Sequence, residues 1–185
     1  MIEDEPKIVE RAKGGEAEAF GLLYDHYLPP IYRFVLFRVS HREEAEDLTH
    51  QVFFKAWQNI GNYQMKGLPF SSWLYRIARN DVIDHYRTRK ANLDIESVDE
   101  PAVKDLTEQK IDDNIKLESV RKAVLQLNHE QQDVILMRFV EELSFGEIAK
   151  IMDKSNGAVR ILQHRAIRNL KKIWKPTFRM IFTGK

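Results

Sequence analysis

The chain has 185 residues, 43% apolar and 31% charged, which places it among globular proteins with room for one ordinary domain or two small ones. It contains no cysteine, so disulfides, thiolate catalysis and cysteine-ligated zinc or iron–sulfur sites are excluded. The formal net charge of +1 is a cancellation between acidic and basic segments, and that asymmetry is informative where the total is not.

The amino terminus is acidic (Glu3, Asp4, Glu5) where a secretory signal would be basic. Apolar runs such as Ile31 to Val39 are interrupted by Arg33 and Arg38 and fall short of the roughly 20 apolar residues of a membrane-spanning helix. A cytoplasmic protein without membrane insertion is expected. Pro and Gly punctuation divides the chain into two helix-rich blocks, from Pro6 to Lys90 and from Lys116 to Trp174.

In the first block, Ala19, Leu22, Leu23, Tyr27, Ile31, Phe34 and Val35 recur at helical spacing, and Pro29 and Pro30 are expected to bend or break the segment. Ser40 with Glu43 reads as a capping box opening a helix through Asp47, Val52, Phe53, Phe54 and Trp57 to a stop at Gly61. Ser71 is positioned to cap a third helix carrying Trp73, Leu74, Ile77 and Ile83. Between Leu93 and Glu118 nine acidic residues (Asp94, Glu96, Asp99, Glu100, Asp105, Glu108, Asp112, Asp113, Glu118) face only Lys104, Lys110 and Lys116. This composition fits a solvated tether, or an acidic strand lying in a channel built for nucleic acid.

The second block opens with Asn128 and Gln131 as a cap for a helix holding Val134, Ile135, Met137 and Phe139. Ser144 with Glu147 caps a short helix bearing Ile148, Ala149 and Met152. A tight turn at Asp153, Lys154 and Ser155 leads to a last helix whose stripe is Val159, Leu162, Ala166, Leu170 and Ile173. Two short helices at a sharp turn, the second basic outside, form a helix-turn-helix pattern. From Lys154 onward there are nine basic residues and no Asp or Glu, so phosphate is the natural partner. No run alternates with period two long enough for a sheet. The expected fold is all-α, with two small helical domains (1–90 and 117–185) joined by an acidic flexible linker (91–116).

Several segments together resemble a known family over most of the chain. Glu18-Ala-Phe20 with Leu23-Tyr24, then Ala45-Glu-Asp-Leu48 with Val52-Phe53 and Ala56-Trp57, resemble the opening region of bacterial sigma factors. Phe70-Ser-Ser-Trp-Leu-Tyr-Arg-Ile-Ala-Arg-Asn80, continuing to Asp84 and Arg87, is similar to the segment that binds the promoter minus-10 element. Leu127 to Leu170, with Glu147-Ile-Ala149, Gly157-Ala-Val159 and His164-Arg-Ala166, resembles the domain that reads the minus-35 element. In this order and without an extra domain, the motifs resemble the minimal extracytoplasmic function type, group IV of the sigma-70 family.

The resemblance implies a transcription initiation factor with no catalytic residue, cofactor or metal. Its implied partners are core RNA polymerase (the β′ clamp helices and the β flap), promoter DNA and, often in this class, an anti-sigma protein. Asp47, His50, Gln51 and Phe54 would meet the polymerase. Holding unstacked bases takes aromatic or amide groups beside cations, and Tyr63, Phe70, Arg76, Arg79, Asn80 and Arg87 supply that mixture at the minus-10 site. Trp73, sharing a face with Ile77, is assigned to the core, with Asn80, Arg76 and Arg87 on the opposite side. The loop Gly61 to Phe70 would form a pocket for a flipped base. In the last helix Ser155, Asn156, Arg160 and Gln163 would face base edges, Arg165 and Arg168 would meet phosphates, and His164 belongs to the same minus-35 surface.

Other functions fit less of the chain. Asp47 and His50 have the i, i+3 spacing of a metal pair, but a second such pair, an HExxH motif, a phosphate loop and a nucleophile elbow are all missing from the sequence. A helix-turn-helix repressor or activator would leave the Asp47 and Asn80 segments without work. A helical adaptor would leave the basic carboxy-terminal segment unexplained.

Overall fold

In the computed structural model, residues 4–39, 41–64, 69–93 and 119–182 are described, with side chains to residue 89 in the first part and from 119 to 173 in the second. The acidic linker and the side chains of the apolar tail at Trp174, Phe178, Ile181 and Phe182 therefore lie outside the described residues. Every regular element among those described is helical.

Helix α1 (Glu5–Lys13) starts with Pro6 in its first turn, where a missing N–H costs nothing, and buries Ile8, Val9 and Ala12. Gly15, at φ 89°, turns the chain into α2 (Ala17–Val39). Helix α2 runs unbroken through Pro29 and Pro30, contrary to the expected break. The carbonyls that the two prolines leave without a donor belong to Asp25 and His26, both exposed residues on the solvent side. The opposite face buries Ala19, Leu23, Tyr27, Ile31, Phe34, Val35 and Arg38, enough to keep the helix continuous through the defect.

Helix α3 (Arg42–Asn59) takes His41 as its N-cap, with no side-chain capping bond. Ser40, the expected cap, lies outside the described residues. Glu43 and Glu44 in the first turn complement the helix dipole, and Ala45, Leu48, Thr49, Val52, Phe53 and Ala56 form an inward stripe at alternating spacings of three, one and three. A short 3-10 turn (Ile60–Asn62) ends it. Helix α4 (Phe70–Leu93) begins one residue before Ser71, so that serine lies inside the first turn and does not cap it. Instead the Trp73 amide donates to the Pro69 carbonyl at 3.1 Å.

The second block comprises α5 (119–125), α6 (His129–Ile135), a wide π-type turn (Leu136–Val140), α7 (Phe145–Met152) and α8 (Asn156–Phe182). Both expected caps form. Asn128 accepts from the Gln131 amide at 2.9 Å, and Ser144 and Glu147 close a reciprocal capping box. Asp153 takes the left-handed conformation (φ 54°) that ends α7, and Ser155 Oγ accepts from the Ala158 amide to start α8. Val159 and Ala166 are fully buried, with Leu162, Leu170 and Ile173 packed beside them, as the apolar stripe requires.

The two blocks pack against each other. Arg33 and Arg38 of α2 and Tyr75, Arg76 and Arg79 of α4 reach residues of the second block. Much of this seam is hydrogen-bonded and ionic.

Because the Ser144–Glu147 box satisfies two otherwise free amides at the start of α7, Ser144→Ala should lower stability by about 1 kcal/mol. Urea unfolding followed by circular dichroism checks this; an unchanged midpoint would mean that the box is energetically idle.

Candidate nucleic-acid interface

Helix α8 is amphipathic, and burying its apolar stripe leaves Asn156, Arg160, His164, Arg165 and Arg168 exposed, with Gln163 half-buried. Ser155 is also exposed, but its oxygen already serves as the helix cap. Arg160 lies over the Phe145 ring, 4.5 Å from its centroid, and Arg138 lies 5.1 Å from the same ring. Phe145, the first residue of α7, thereby restrains the Arg160 guanidinium of α8. No spacing rule pointed to this residue. Its signal was an aromatic next to the capping serine. Lys154 is engaged with Glu130 at 2.9 Å.

A second surface lies where the end of α3 meets α4. An open pocket is lined by Lys55, Asn59, Asn62, Tyr63, Trp73, Ile77, Asn80 and Asp81. Trp73, Ile77 and Asn80 follow i, i+4, i+7, so Asn80 shares the face of Trp73 and is not opposite to it, as had been expected. Trp73 is accordingly a pocket wall and only partly core. Lys55, Asn59 and Asn62 were missed, although they too follow i, i+4, i+7. Lys55 Nζ binds Asp81 Oδ1 at 2.6 Å, while Asp81 Oδ2 is buried without a hydrogen-bond partner among the described residues. Burial, assisted by the charge of Glu5, pushes the Tyr63 hydroxyl up to about 12, so it is a neutral donor at physiological pH.

The remaining residues expected at this surface divide. Phe70 is only 2% exposed, with Tyr27, Tyr63 and Trp73 at centroid distances of 5.5 to 5.6 Å, so it supports the pocket from below and offers no face to a ligand. Arg87 is exposed, 3.6 Å from Asp84. Arg76 and Arg79 instead turn toward the second block. Arg76 donates to the Lys150 carbonyl, and Arg79 Nε donates to Asp133 Oδ2 at 2.8 Å.

A third surface runs along α3. Asp47, His50, Gln51 and Phe54 are all exposed at i, i+3, i+4 and i+7, forming one stripe. Phe54 is 61% exposed, and Trp57, one turn on, extends the stripe while contacting Phe20 at 4.9 Å. Polar groups beside a bare aromatic suit docking to another protein. Among the described residues, no cluster of three or more His, Cys, Asp or Glu could hold a metal ion, and no helix is long and apolar enough to cross a membrane.

The Sigma-70 region 2 family matches residues 23–92, and the Sigma-70, region 4 family matches residues 123–172. The ECF RNA polymerase sigma factor BldN of Streptomyces coelicolor is 38% identical over 170 residues, 90% of this chain; the chain spans 64% of that relative's length. The ECF RNA polymerase sigma factor SigX of Bacillus subtilis is 30% identical over 164 residues, covering 84% of this chain and 83% of the relative. Among solved structures, the sigma factor RpoE of Bartonella quintana, in a complex with the anti-sigma factor NepR, matches with a TM-score of 0.72 at 25% identity, covering 86% of this chain and 98% of that one.

The contrast between Phe70 and Asn80 is measurable. Phe70→Ala should cost about 3 to 5 kcal/mol, whereas Asn80→Ala, at an exposed position, should stay within about 0.5 kcal/mol of the parent. Denaturant titration checks both; a costly Asn80→Ala would make Asn80 a structural group.

Proposed function

The chain belongs to the sigma-70 family of RNA polymerase sigma factors and is of the extracytoplasmic function type; we propose that it is a group IV member with two domains, residues 1–90 and 117–185, acting in the cytoplasm. It binds core polymerase and directs promoter-specific initiation. The observation that carries the assignment of roles is the separation of the three surfaces: the exposed stripe of α3, the pocket where the end of α3 meets α4, and the outer face of α8. The α3 stripe of Asp47, His50, Gln51 and Phe54 docks on the β′ clamp helices of the polymerase. The pocket at Asn80, with Tyr63 and Trp73 as aromatic walls, receives an unstacked base of the minus-10 element. Helix α8 enters the major groove of the minus-35 element and the second domain meets the β flap. Regulation by an anti-sigma protein is part of this proposal, supported by the NepR complex of the similar RpoE.

Run-off transcription with core polymerase on a randomised promoter library tests the reading as a whole, and a gel shift with and without polymerase separates it from a repressor. Tight sequence-specific binding by the chain alone would favour the repressor.

Asp47→Ala with Gln51→Ala should weaken polymerase pull-down while leaving helicity unchanged, because both residues are exposed. Loss of circular dichroism signal would instead assign them to the fold. Arg160, held by Phe145 one turn into α8, can donate twice to a guanine, worth roughly 1 to 3 kcal/mol of discrimination. Arg160→Ala should relax preference at one or two minus-35 positions. Arg168→Ala, two turns on, should weaken all sequences about equally and reduce the salt dependence of binding. Equal effects of the two on every template would remove the division between base reading and phosphate contact.

A further inference from the structure

The pocket between α3 and α4 holds an ion pair whose two charges are placed unequally. Lys55 and Asp81 both line it, and Lys55 Nζ donates to Asp81 Oδ1 at 2.6 Å. The Asp81 side chain is 5% exposed, whereas that of Lys55 is 50% exposed. Asp81 Oδ2 is buried without a hydrogen-bond partner among the described residues. The ammonium has three donors, and this pair uses one of them. Tyr63 and Trp73 give the pocket its aromatic walls. Asn59 Nδ2 is turned back to the Lys55 carbonyl at 2.8 Å, while Asn80 is the exposed amide on the α4 side.

We propose that Asp81 is a positioning residue of this pocket: it holds the Lys55 ammonium against the wall and cancels its charge, so that the pocket selects an uncharged nucleobase over the phosphates of the same strand. This rests on the reading of the pocket as the receiver of an unstacked base. A lysine is a point charge on a flexible four-carbon stem, and left unpaired at the mouth of a pocket it attracts any phosphate. Phosphate contacts carry no sequence information, and one made at the rim does not require a base to enter. Paired with a buried carboxylate, the same ammonium exerts little net attraction at a distance. It keeps two N–H groups for a carbonyl oxygen or ring nitrogen that arrives in contact. The aromatic walls accept the face of any base. Asp81 thus contributes selectivity for base over backbone, and its carboxylate makes binding of the backbone weaker.

Two single-stranded DNA probes of equal length and charge test this on the full chain: a labelled oligonucleotide of random sequence and its fully abasic counterpart. Fluorescence anisotropy over a salt series should show the parent preferring the base-bearing probe by at least about fivefold, the contribution of one stacked base. Asp81→Asn keeps the shape of the side chain and removes its charge. It should bind the abasic probe more tightly, with a log–log salt slope steeper by about 0.7, the value for one added phosphate contact on a single strand. Its preference for the base-bearing probe should shrink toward parity. Adding Lys55→Met should abolish the gain on the abasic probe. Glu43→Gln, the same change of charge at an exposed position of α3, controls for general electrostatics and should keep the parent's preference. If circular dichroism shows that Asp81→Asn does not fold, Lys55→Met alone leaves the carboxylate uncompensated and should weaken both probes, the base-bearing one more. The proposal is overturned by an Asp81→Asn chain with the parent's preference and salt slope, by a gain on the abasic probe no larger than that of Glu43→Gln, or by a gain that survives Lys55→Met. Where Asp81→Asn does not fold, Lys55→Met matching the parent on both probes overturns it. A parent that binds both probes equally overturns the reading of the pocket and this proposal with it, whereas a parent preference that Asp81→Asn leaves intact overturns this proposal alone.

Discussion

Asp133 has to be satisfied where water cannot reach it, and the arrangement of the two domains follows from how that is done. Burial pushes its carboxyl upward, against the opposing pull of Arg38 and Arg79. The same burial pushes Arg38 downward, against the pull of Asp133. Desolvating both ions offsets much of what their pairing gains, so the contact does not act as a simple source of stability. What it fixes is register. One carboxylate binding arginines from α2 and α4 with separate oxygens allows only one placement of α6 against the first domain. Tyr86 strengthens that placement by donating to the Arg38 carbonyl, which ties the far end of α4 to the end of α2.

The three surfaces are affected unequally by this placement. The outer face of α8 and the α3 stripe remain exposed. The pocket at Asn80 is open as well. Arg76 and Arg79, on the same helix as Asn80, instead turn to the Lys150 carbonyl and to Asp133 of the second block.

Much of the fold was legible because it is written in local periodicity. The stripe of α8, the Asn128 cap and the Ser144–Glu147 box each involve residues within a few positions of one another, and all form as the spacing requires. Where burial and sequence signals competed, the sequence signals misled. Pro29 and Pro30 were strong breakers, but the buried face from Ala19 to Arg38 outweighs them. Ser71 looked like a cap, yet packing Phe70 inward starts the helix one residue earlier. Asn80 was placed on the face of α4 opposite Trp73, whereas both line the same pocket. The domain seam was illegible for a different reason. Arg38 and Asp133 are 95 positions apart, and no spacing rule links residues at that range. The available hint was Arg38 itself, four residues after Phe34 on the buried stripe, where a charge demands a distant partner.

The charge balance noted at the outset acquires a structural meaning from this seam. The basic excess after Asp153 falls mostly on α8, while Asp133 and Glu141, earlier in the same domain, present carboxylates to arginines of the first domain.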